Sequence, residues 1–308
     1  MRVLITGGSG FVGRRLCERL ARQGHALQVV SRSPEKARTL LPEGCDVRDS
    51  AVAFADTPPD ALVNLAGESI AAKRWSEAQK REMIDSRLRA TGDLVALCKA
   101  LREAGEALPG VLVSASAMGY YGEQKEDGEG DTAVTEDTPP RDEFAHRLCA
   151  RWEAAAGEVE ALGVRTAIVR IGLVLGEGGG SLEKMLPPFK WGLGGRFGSG
   201  RQFMPWIHRD DLVAAICFLL ERDSASGAFN ASAPHPVTNA EFTRTLANTL
   251  NRPAVLPVPA FVLKAGLGEM ARLLLTGADM RPARLQQAGF GFRYKTLDRA
   301  LEAILAPG

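Results

Sequence analysis

The segment MRVLITGGSGFVGRRLCERLARQGHALQVVSRS (1–33) decides the fold. It opens with a β-branched and aliphatic run at 2–6, which is typical of a buried strand. The glycine-rich segment GGSGFVG (7–13) follows directly, and after it comes a helix pattern that stops before a second predicted strand at 26–30. The helix pattern is carried by Val12, Leu16 and Leu20. Strand, glycine turn, helix and strand in this order predict a dinucleotide-binding turn.

The three spaced glycines of this turn have different physical tasks. Gly7 can adopt the positive φ of a tight turn, Gly10 lets the backbone approach a pyrophosphate, and Gly13 lets the helix pack closely on the sheet. The helix N-terminus adds free N–H groups and the positive end of a dipole. The spacing is G-x-x-G-x-x-G rather than G-x-G-x-x-G, and an ordinary glycine-rich turn is the alternative. The candidate cofactor-binding residues here are Gly7, Ser9, Gly10, Phe11, Val12 and Gly13.

The residues after the second predicted strand bear on the choice between NAD and NADP. An acidic side chain there would bind the ribose 2′-hydroxyl of NAD, whereas an arginine accommodates the 2′-phosphate of NADP. The sequence has Ser31 and Arg32 at this place. Glu35 fits better as a first-turn acid of the next helix, which Ser33 caps and Pro34 begins. We therefore expect NADP(H), bound in part by Ser31 and Arg32, with a solvated surface charge as the alternative for Arg32.

Composition narrows the class of protein. The 308 residues carry a net charge of +1 and no basic block, so nucleic acid is not an expected partner. Five scattered cysteines without a C-x-x-C pair argue for reduced thiols and against a disulfide framework or a metal site. The chain opens on a core strand rather than a signal peptide, and its longest apolar run, 212–220, is too short to span a bilayer. We expect a soluble cytoplasmic protein.

Strands and helices alternate through the first half of the chain. Strands are predicted at 61–67, 111–114 and 164–171, helices at 34–41, 76–102 and 142–162, and a turn at 45–47. Repeated β-α order predicts a doubly wound parallel sheet, a Rossmann fold of the α/β class. Because the carboxyl ends of such strands line the ligand crevice, Leu65, Ala66 and Gly67 are expected against the cofactor.

The regular alternation of predicted strands and helices ends after residue 175. Glycine clusters at 176–180 and 192–200 predict mobile loops around a cleft, although the first cluster fits a plain connecting loop equally well. Asp210 and Asp211 are interpreted as caps of an apolar helix, and His208 as a strand-end residue without a metal role. The acidic segment 123–141 predicts an exposed loop or flap, and a further helix is expected at 261–275.

These patterns divide the chain into two predicted parts. Residues 1–175 are expected to form an NADP-binding Rossmann domain, completed by about 203–232. Residues 176–202 and 233–308 are expected to form a smaller substrate-binding, C-terminal region.

Together these residues resemble the extended short-chain dehydrogenase/reductases, the group that contains nucleotide-sugar epimerases and dehydratases. More narrowly, the chain is similar to the atypical epimerase-like subfamily often labelled nucleoside-diphosphate-sugar epimerase. The matches are TGGSGFVG (6–13), NLAGESIAAKRW (64–75), Ser86–Arg87, SASAMGYYG (114–122), DEFAHRLCARWE (142–153), RIGLVLG (170–176), IHRDD (207–211) and GFGFRY (289–294). The resemblance covers essentially the whole chain and implies that Arg87 and Ser114 also bind the cofactor.

In the wider family a Tyr-x-x-x-Lys pair exchanges a proton with the substrate while nicotinamide exchanges hydride. This chain departs from that pattern. One register puts Phe144 and Leu148 at the two positions, and the other puts Ala145 and Cys149 there. Neither register restores the pair.

Polar residues after the strand at 111–114 are the available substitutes. We predict Ser116 and Tyr121 as candidate catalytic residues, with local packing of both Tyr120 and Tyr121 as the alternative.

Two functions follow from this sequence. The first is an NADP-dependent oxidoreductase or epimerase-like enzyme that acts on a small polar substrate, with a nucleotide sugar suggested by the resemblance. The second is a non-catalytic NADP(H)-binding regulatory or redox-sensing protein that acts through a protein partner. The resemblance also suggests a homodimer.

Overall fold

The computed structural model describes residues 1–71, 73–122 and 133–306. Its strands, in chain order, are β1 (Arg2–Thr6), β2 (Ala26–Val30), β3 (Asp46–Arg48), β4 (Ala61–Asn64), β5 (Val111–Ala117), β6 (Arg165–Ile171), β7 (Leu173–Leu175), β8 (Phe203–Met204), β9 (Trp206–His208), β10 (Gly227–Ala231) and β11 (Val237–Thr238).

Helices connect these strands. They are α1 (Phe11–Arg22), α2 (Pro34–Arg38), α3 (Glu77–Glu103), α4 (Phe144–Ala161), α5 (Gly180–Lys190), α6 (Arg209–Glu221), α7 (Asn239–Thr249), α8 (Ala260–Leu267), α9 (Arg272–Leu275), α10 (Ala283–Gln287) and α11 (Leu297–Leu305). Short 3₁₀ helices lie at Val52–Asp56, Met118–Tyr121 and Gly268–Ala271.

Seven strands form one parallel sheet in the order β3-β2-β1-β4-β5-β6-β10. Alternate residues of β1 face opposite sides, so that Val3 and Ile5 pack under α1 and α6 while Leu4 packs under α3 and α4. Both faces of the sheet are covered, which explains the continuous apolar runs at 3–5, 61–63 and 111–113 in its central strands. The predicted doubly wound parallel sheet is confirmed.

A third apolar cluster lies outside the large sheet. It joins Trp206 of β9 and Leu182 of α5 to Phe242 of α7 and Leu297 of α11. The large sheet draws its strands from residues 2–171 and takes the last one, β10, from 227–231. The exact division into two domains stays a prediction.

Several predicted elements have different bounds. Asp46 and Val47 of the predicted turn at 45–47 belong to strand β3, and helix α2 ends at Arg38 rather than at residue 41. The single helix expected at 261–275 is broken, because Gly268 adopts a φ of +62° between α8 and the following 3₁₀ turn.

The segment predicted as an exposed flap is only partly described. Its residues 123–132 lie outside the described part of the chain. In the remainder, Val134 pairs with Met280 in an isolated bridge, and both side chains are buried. Val134 at this end of the segment is therefore packed against the C-terminal region, whereas Ala133, Asp137 and residues 139–141 are exposed, as predicted.

Within the described ranges, no helix is both long and apolar enough to cross a lipid bilayer.

Candidate functional site

The candidate site lies where the strand order of the sheet reverses, between β1 and β4. Thr6 and Asn64 are register partners at the ends of these two strands, and the Leu65 N–H donates to the Thr6 carbonyl at 3.0 Å. Crevices at this position bind ligands in doubly wound folds, because the connections leave the two strand ends in opposite directions.

The glycine turn closes tightly against the end of β4. Gly7 has a φ of +75°, and a Cβ built on it would lie 2.7 Å from the Leu65 carbonyl carbon. A Cβ on Gly13 would lie 2.2 Å from the Gly7 oxygen, so no side chain fits at either position. The turn therefore needs glycine at both ends, as the sequence predicts.

Helix α1 begins directly at this turn. Its N-cap is Gly10, which has no side chain to accept a hydrogen bond from the first helical N–H groups. The first turn of α1 also contains no acidic side chain. These N–H groups and the positive end of the helix dipole therefore face the crevice, where an anion would be bound.

The first glycine cluster covers the start of α1. Cβ atoms built on Gly179 and Gly180 would lie 2.6 Å and 2.8 Å from the ring of Phe11. The guanidinium of Arg209 lies 4.8 Å from the same ring and donates to the Glu177 carbonyl at 2.9 Å. The segment at 176–180 is thus fitted to the glycine turn, and small residues are required for that contact.

Arg32 lies just past the end of β2, on the same edge of the sheet. It is exposed, and in the described part of the chain its side chain makes no hydrogen bond or ion pair. Glu35 is ion-paired with Arg38 within α2, and Pro34 occupies the first turn, as the sequence predicts. Ser33 is the N-cap, but its side chain accepts no capping bond. The guanidinium of Arg32 is therefore accessible for binding an anion.

A buried hydrogen-bond network fixes the strand ends beneath the crevice. The Thr6 hydroxyl donates to Asn64 Oδ1 at 2.7 Å, and Asn64 Nδ2 donates to the hydroxyls of Thr91 at 2.9 Å and Ser114 at 3.4 Å. All four side chains are buried, so the network holds β1, β4, β5 and α3 in one arrangement. Ser114, predicted to bind cofactor, supports the floor of the site in this way.

Arg87 of α3 holds the backbone after β4. Its guanidinium donates to the carbonyls of Glu68 at 3.0 Å and Met83 at 2.8 Å, and it lies 4.9 Å from the ring of Trp152. A Cβ on Gly67 would lie 2.9 Å from Arg87 Cζ. Burial lowers the pKa of Arg87, and its Nε has no partner in the described structure. Direct cofactor contact by Arg87 stays a prediction.

The two predicted catalytic residues belong to a second buried network. The Ser116 hydroxyl donates to Glu153 Oε1 at 2.6 Å, and Glu153 also forms an ion pair with Arg170 at 2.9 Å. The Tyr121 hydroxyl donates to Asn230 Oδ1 at 2.6 Å and accepts from Arg170 at 3.0 Å. This network therefore ties β5, α4, β6 and β10 together.

Tyr121 is fully buried, and burial raises its pKa to about 12. Its hydroxyl is bonded on both sides within the protein, which disfavours proton exchange with a substrate. The catalytic roles of Ser116 and Tyr121 stay predictions, and these contacts give both residues a structural task.

The positions expected to carry the Tyr-x-x-x-Lys pair are apolar. Phe144 packs edge-on against Trp75 with ring centroids 5.1 Å apart, and the ammonium of Lys80 lies 5.2 Å from its ring. Leu148 and Cys149 are buried, and burial raises the pKa of the Cys149 thiol to about 11. Lys80 forms a 2.5 Å ion pair with Glu269. The residues at the paired positions, Phe144 and Leu148 in one register and Ala145 and Cys149 in the other, supply neither a phenol nor an ammonium group.

The comparisons with known proteins now give the family. The profile of the NAD dependent epimerase/dehydratase family matches residues 3–232, and a domain of unknown function, DUF1731, matches residues 258–304. The chain belongs to the NAD dependent epimerase/dehydratase family.

Relatives within this family match over nearly the whole chain. The epimerase family protein SDR39U1 homolog, chloroplastic, of Arabidopsis thaliana is 42% identical over 99% of this chain and 87% of its own length. The epimerase family protein YfhF of Bacillus subtilis is 36% identical over 99% of this chain and 98% of its own. The human epimerase family protein SDR39U1, solved with NADPH, has a TM-score of 0.84 and 36% identity over 99% of both chains.

Asp210 and Asp211 do not cap helix α6, although the sequence predicts that they do. The cap of α6 is His208, whose Nδ1 accepts from the Asp210 N–H at 3.0 Å. Asp210 instead binds Arg15 of α1 at 2.7 Å, and Asp211 accepts from the backbone N–H groups of 293 and 294 at 2.9 Å and 2.8 Å. Burial raises the pKa of Asp211. These carboxylates join α6 to α1 and to the C-terminal GFGFRY segment.

Trp75, Lys80 and Glu153 are site residues that the sequence did not single out by role. Trp75 lies within the motif NLAGESIAAKRW and Glu153 ends the motif DEFAHRLCARWE, and these motifs are the signals that could have found them. Within the described residues, no group of three His, Cys, Asp or Glu side chains is arranged as a metal site.

Proposed function

We propose that this protein binds NADP(H) in the crevice between β1 and β4. We further propose that it acts as an oxidoreductase or epimerase-like enzyme on a small polar substrate. The supporting observation is the glycine turn, in which Gly7 and Gly13 leave no room for a side chain and the N-terminus of α1 faces the crevice uncapped. The NADPH in the structure of the human relative gives independent support.

The residues at the crevice fit this cofactor. The free N–H groups at the start of α1 would bind the pyrophosphate, and the exposed guanidinium of Arg32 would bind the 2′-phosphate. Leu65, Ala66 and Gly67 follow β4 beside the turn and would lie along the dinucleotide. When bound, the nicotinamide supplies hydride transfer. The chain's own task is to orient the cofactor and to exclude water from it.

The substrate class rests on the family resemblance, which suggests a nucleotide sugar. Proton transfer by the usual tyrosine and lysine is not available to this chain, because Phe144 and Leu148 occupy one register and Ala145 and Cys149 the other. An enzyme with this site would need a substrate or a further side chain that supplies the proton.

The binding proposal is tested by titration of the protein with NADPH, followed by cofactor fluorescence. Gly10→Ala adds a Cβ that would lie 3.2 Å from the Gly7 oxygen, a tight contact with the backbone of the turn, and the methyl group would project where the pyrophosphate approaches. We expect binding at least about tenfold weaker, a loss of about 1.4 kcal/mol.

The matched control for that titration is Gly92→Ala. Gly92 lies within α3, and a Cβ there would meet no atom within 4 Å. Its affinity for NADPH should equal that of the wild type. Unchanged affinity in Gly10→Ala would contradict binding at this turn.

The second candidate function is NADP(H) binding without turnover, in a regulatory or redox-sensing protein. The observation that favours it is the internal bonding of the Ser116 and Tyr121 hydroxyls. Both hydroxyls serve the fold, and neither is free for a substrate.

A turnover measurement separates the two candidates. NADPH oxidation would be followed with a panel of small carbonyl compounds and oxidised nucleotide sugars, in wild type and in Tyr121→Phe. Turnover that disappears in Tyr121→Phe while NADPH affinity is kept would support the enzyme and the predicted role of Tyr121. Intact NADPH binding with no turnover of any compound would favour the second candidate.

A further inference from the structure

The C-terminal region contains a surface pocket that takes no part in the crevice at the glycine turn. Its volume is about 440 Å³, which lies within the range of small-molecule sites. It is lined by residues of α7, by the segment 252–255 with Pro257, and by Arg196. None of its lining residues belongs to the glycine turn or to the ends of β1, β2 or β4.

All charged side chains that line this pocket are positive. Arg196, Arg244 and Arg252 line it, and no acidic side chain does. Neither an ion pair nor a side-chain hydrogen bond is made by any of the three guanidinium groups within the described ranges. All three arginines are exposed, so their guanidinium groups are accessible to a ligand. Three unpaired guanidinium groups at one concave surface give a local positive potential.

Backbone contacts hold two of these arginines in place. The Val258 N–H donates to the Arg196 carbonyl at 2.9 Å, and the Arg252 N–H donates to the Ala247 carbonyl at 3.0 Å. Arg244 and Asn248 are one helical turn apart on α7, so both face the same side. The donors are therefore presented by anchored backbone rather than by a free loop.

The rest of the lining is neutral. Asn248 and Thr243 offer an amide and a hydroxyl, while Pro253, Ala254 and Val255 form an apolar wall. Guanidinium groups bind phosphate oxygens by paired, charge-assisted hydrogen bonds, and an apolar wall suits the organic part of a phosphorylated molecule.

We propose that this pocket is a second anion site, which binds the phosphate group of a phosphorylated compound. Two sources carry this chemistry: a soluble phosphate ester or diphosphate, and the headgroup of an anionic phospholipid. The second source is relevant because Val255, an apolar residue that lines the pocket, is 73% exposed.

The experiment measures binding of inorganic pyrophosphate by calorimetry in the presence of saturating NADPH. The NADPH occupies the proposed crevice, so that pyrophosphate is not measured there. The variants are Arg244→Ala and Arg252→Ala, and the matched control is Arg201→Ala, an exposed arginine on the neighbouring segment that does not line the pocket. A parallel arm measures sedimentation with phosphatidylcholine vesicles, with and without phosphatidylglycerol.

We expect pyrophosphate binding that is about tenfold weaker in each pocket variant and unchanged in Arg201→Ala, because one charge-assisted hydrogen-bond partner is lost. Binding to phosphatidylglycerol vesicles that depends on Arg244 and Arg252, without pyrophosphate binding, would assign the site to a lipid phosphate. Absence of both kinds of binding would overturn the proposal. Equal weakening in all three variants would also overturn it, since the effect would then be general surface charge.

Discussion

At the scale of single residues, His208 shows how burial sets a charge state. Its ring stacks on Tyr294 with centroids 3.9 Å apart, and its Nδ1 accepts from the backbone N–H of Asp210. Burial is the main cause that lowers the pKa of His208 to about 4, and the nearby Arg209 and Arg293 act in the same direction. The folded protein therefore contains a neutral His208 at neutral pH.

This pKa predicts a loss of stability on mild acidification. Between the unfolded pKa of about 6.5 and the folded value, the unfolded chain binds a proton that the folded chain does not, so the free energy of unfolding falls as pH falls. The contribution of His208 is at most about 3 kcal/mol. Urea unfolding at about pH 7.5 and about pH 4.5 would measure it.

The comparison variant for that measurement is His208→Asn, which can still cap α6 but does not titrate. Other groups shift the stability of both proteins alike, so the difference between the two pH dependences isolates His208. A wild type and a variant that lose the same stability between the two pH values would contradict the assignment.

The hydrogen-bond partners of Tyr121 and Ser116 could not be predicted from the sequence alone. Their place at the end of a central strand was predictable from the pattern of β5. Their hydrogen-bond partners were not, because Asn230 is 109 residues from Tyr121 and Glu153 is 37 residues from Ser116. Whether a hydroxyl faces a crevice or an internal carboxylate depends on packing between distant elements.

At the scale of elements, Arg165 at the start of β6 closes the end of helix α6. Its guanidinium donates to the carbonyls of Leu219 at 3.0 Å, Leu220 at 3.1 Å and Ala225 at 2.7 Å. The last carbonyls of a helix have no partner within it, and a cation beside them is also favoured by the helix dipole. Arg165 therefore satisfies the C-terminus of α6 from the neighbouring strand.

Arg165→Met should lower the free energy of unfolding by about 1–3 kcal/mol, since three carbonyls lose a charged donor while the apolar stem is kept. Chemical denaturation measures this change. Arg151→Met is the control, because Arg151 is exposed on α4, and it should change stability by less than about 0.5 kcal/mol. Equal effects of the two substitutions would show that Arg165 is not a helix cap.

Elements near the glycine turn were predictable, whereas those of the C-terminal region were less so. β1, α1 and β2 have strong local patterns, and the structure places them within a residue or two of expectation. Helix α5 was missed because Gly180 begins it and Pro187 and Pro188 lie inside it, and all three disfavour helix in isolation. Its apolar side chains form part of the third cluster, so tertiary packing determines that helix.

At the scale of the whole molecule, contacts between distant segments assemble the crevice. The segment 176–180 packs on Phe11, Lys184 of α5 donates to the Ala71 carbonyl at 3.0 Å, and Lys80 of α3 pairs with Glu269. These contacts join residues 176–184 and Glu269 to the first 80 residues of the chain. The fold class and the family were predictable from motifs, but these long-range contacts were not.

The preference for NADPH over NADH tests the proposed NADP(H) site most directly. NADPH and NADH would be titrated separately into wild type, Arg32→Ala and the control Arg22→Ala, which removes an exposed arginine at the opposite end of α1. We predict that wild type binds NADPH at least about tenfold more tightly than NADH and that Arg32→Ala abolishes this preference, because a charge-assisted contact to the 2′-phosphate is lost. Arg22→Ala should behave as wild type. Equal affinity for both cofactors, or no binding of either, would contradict the proposed NADP(H) site.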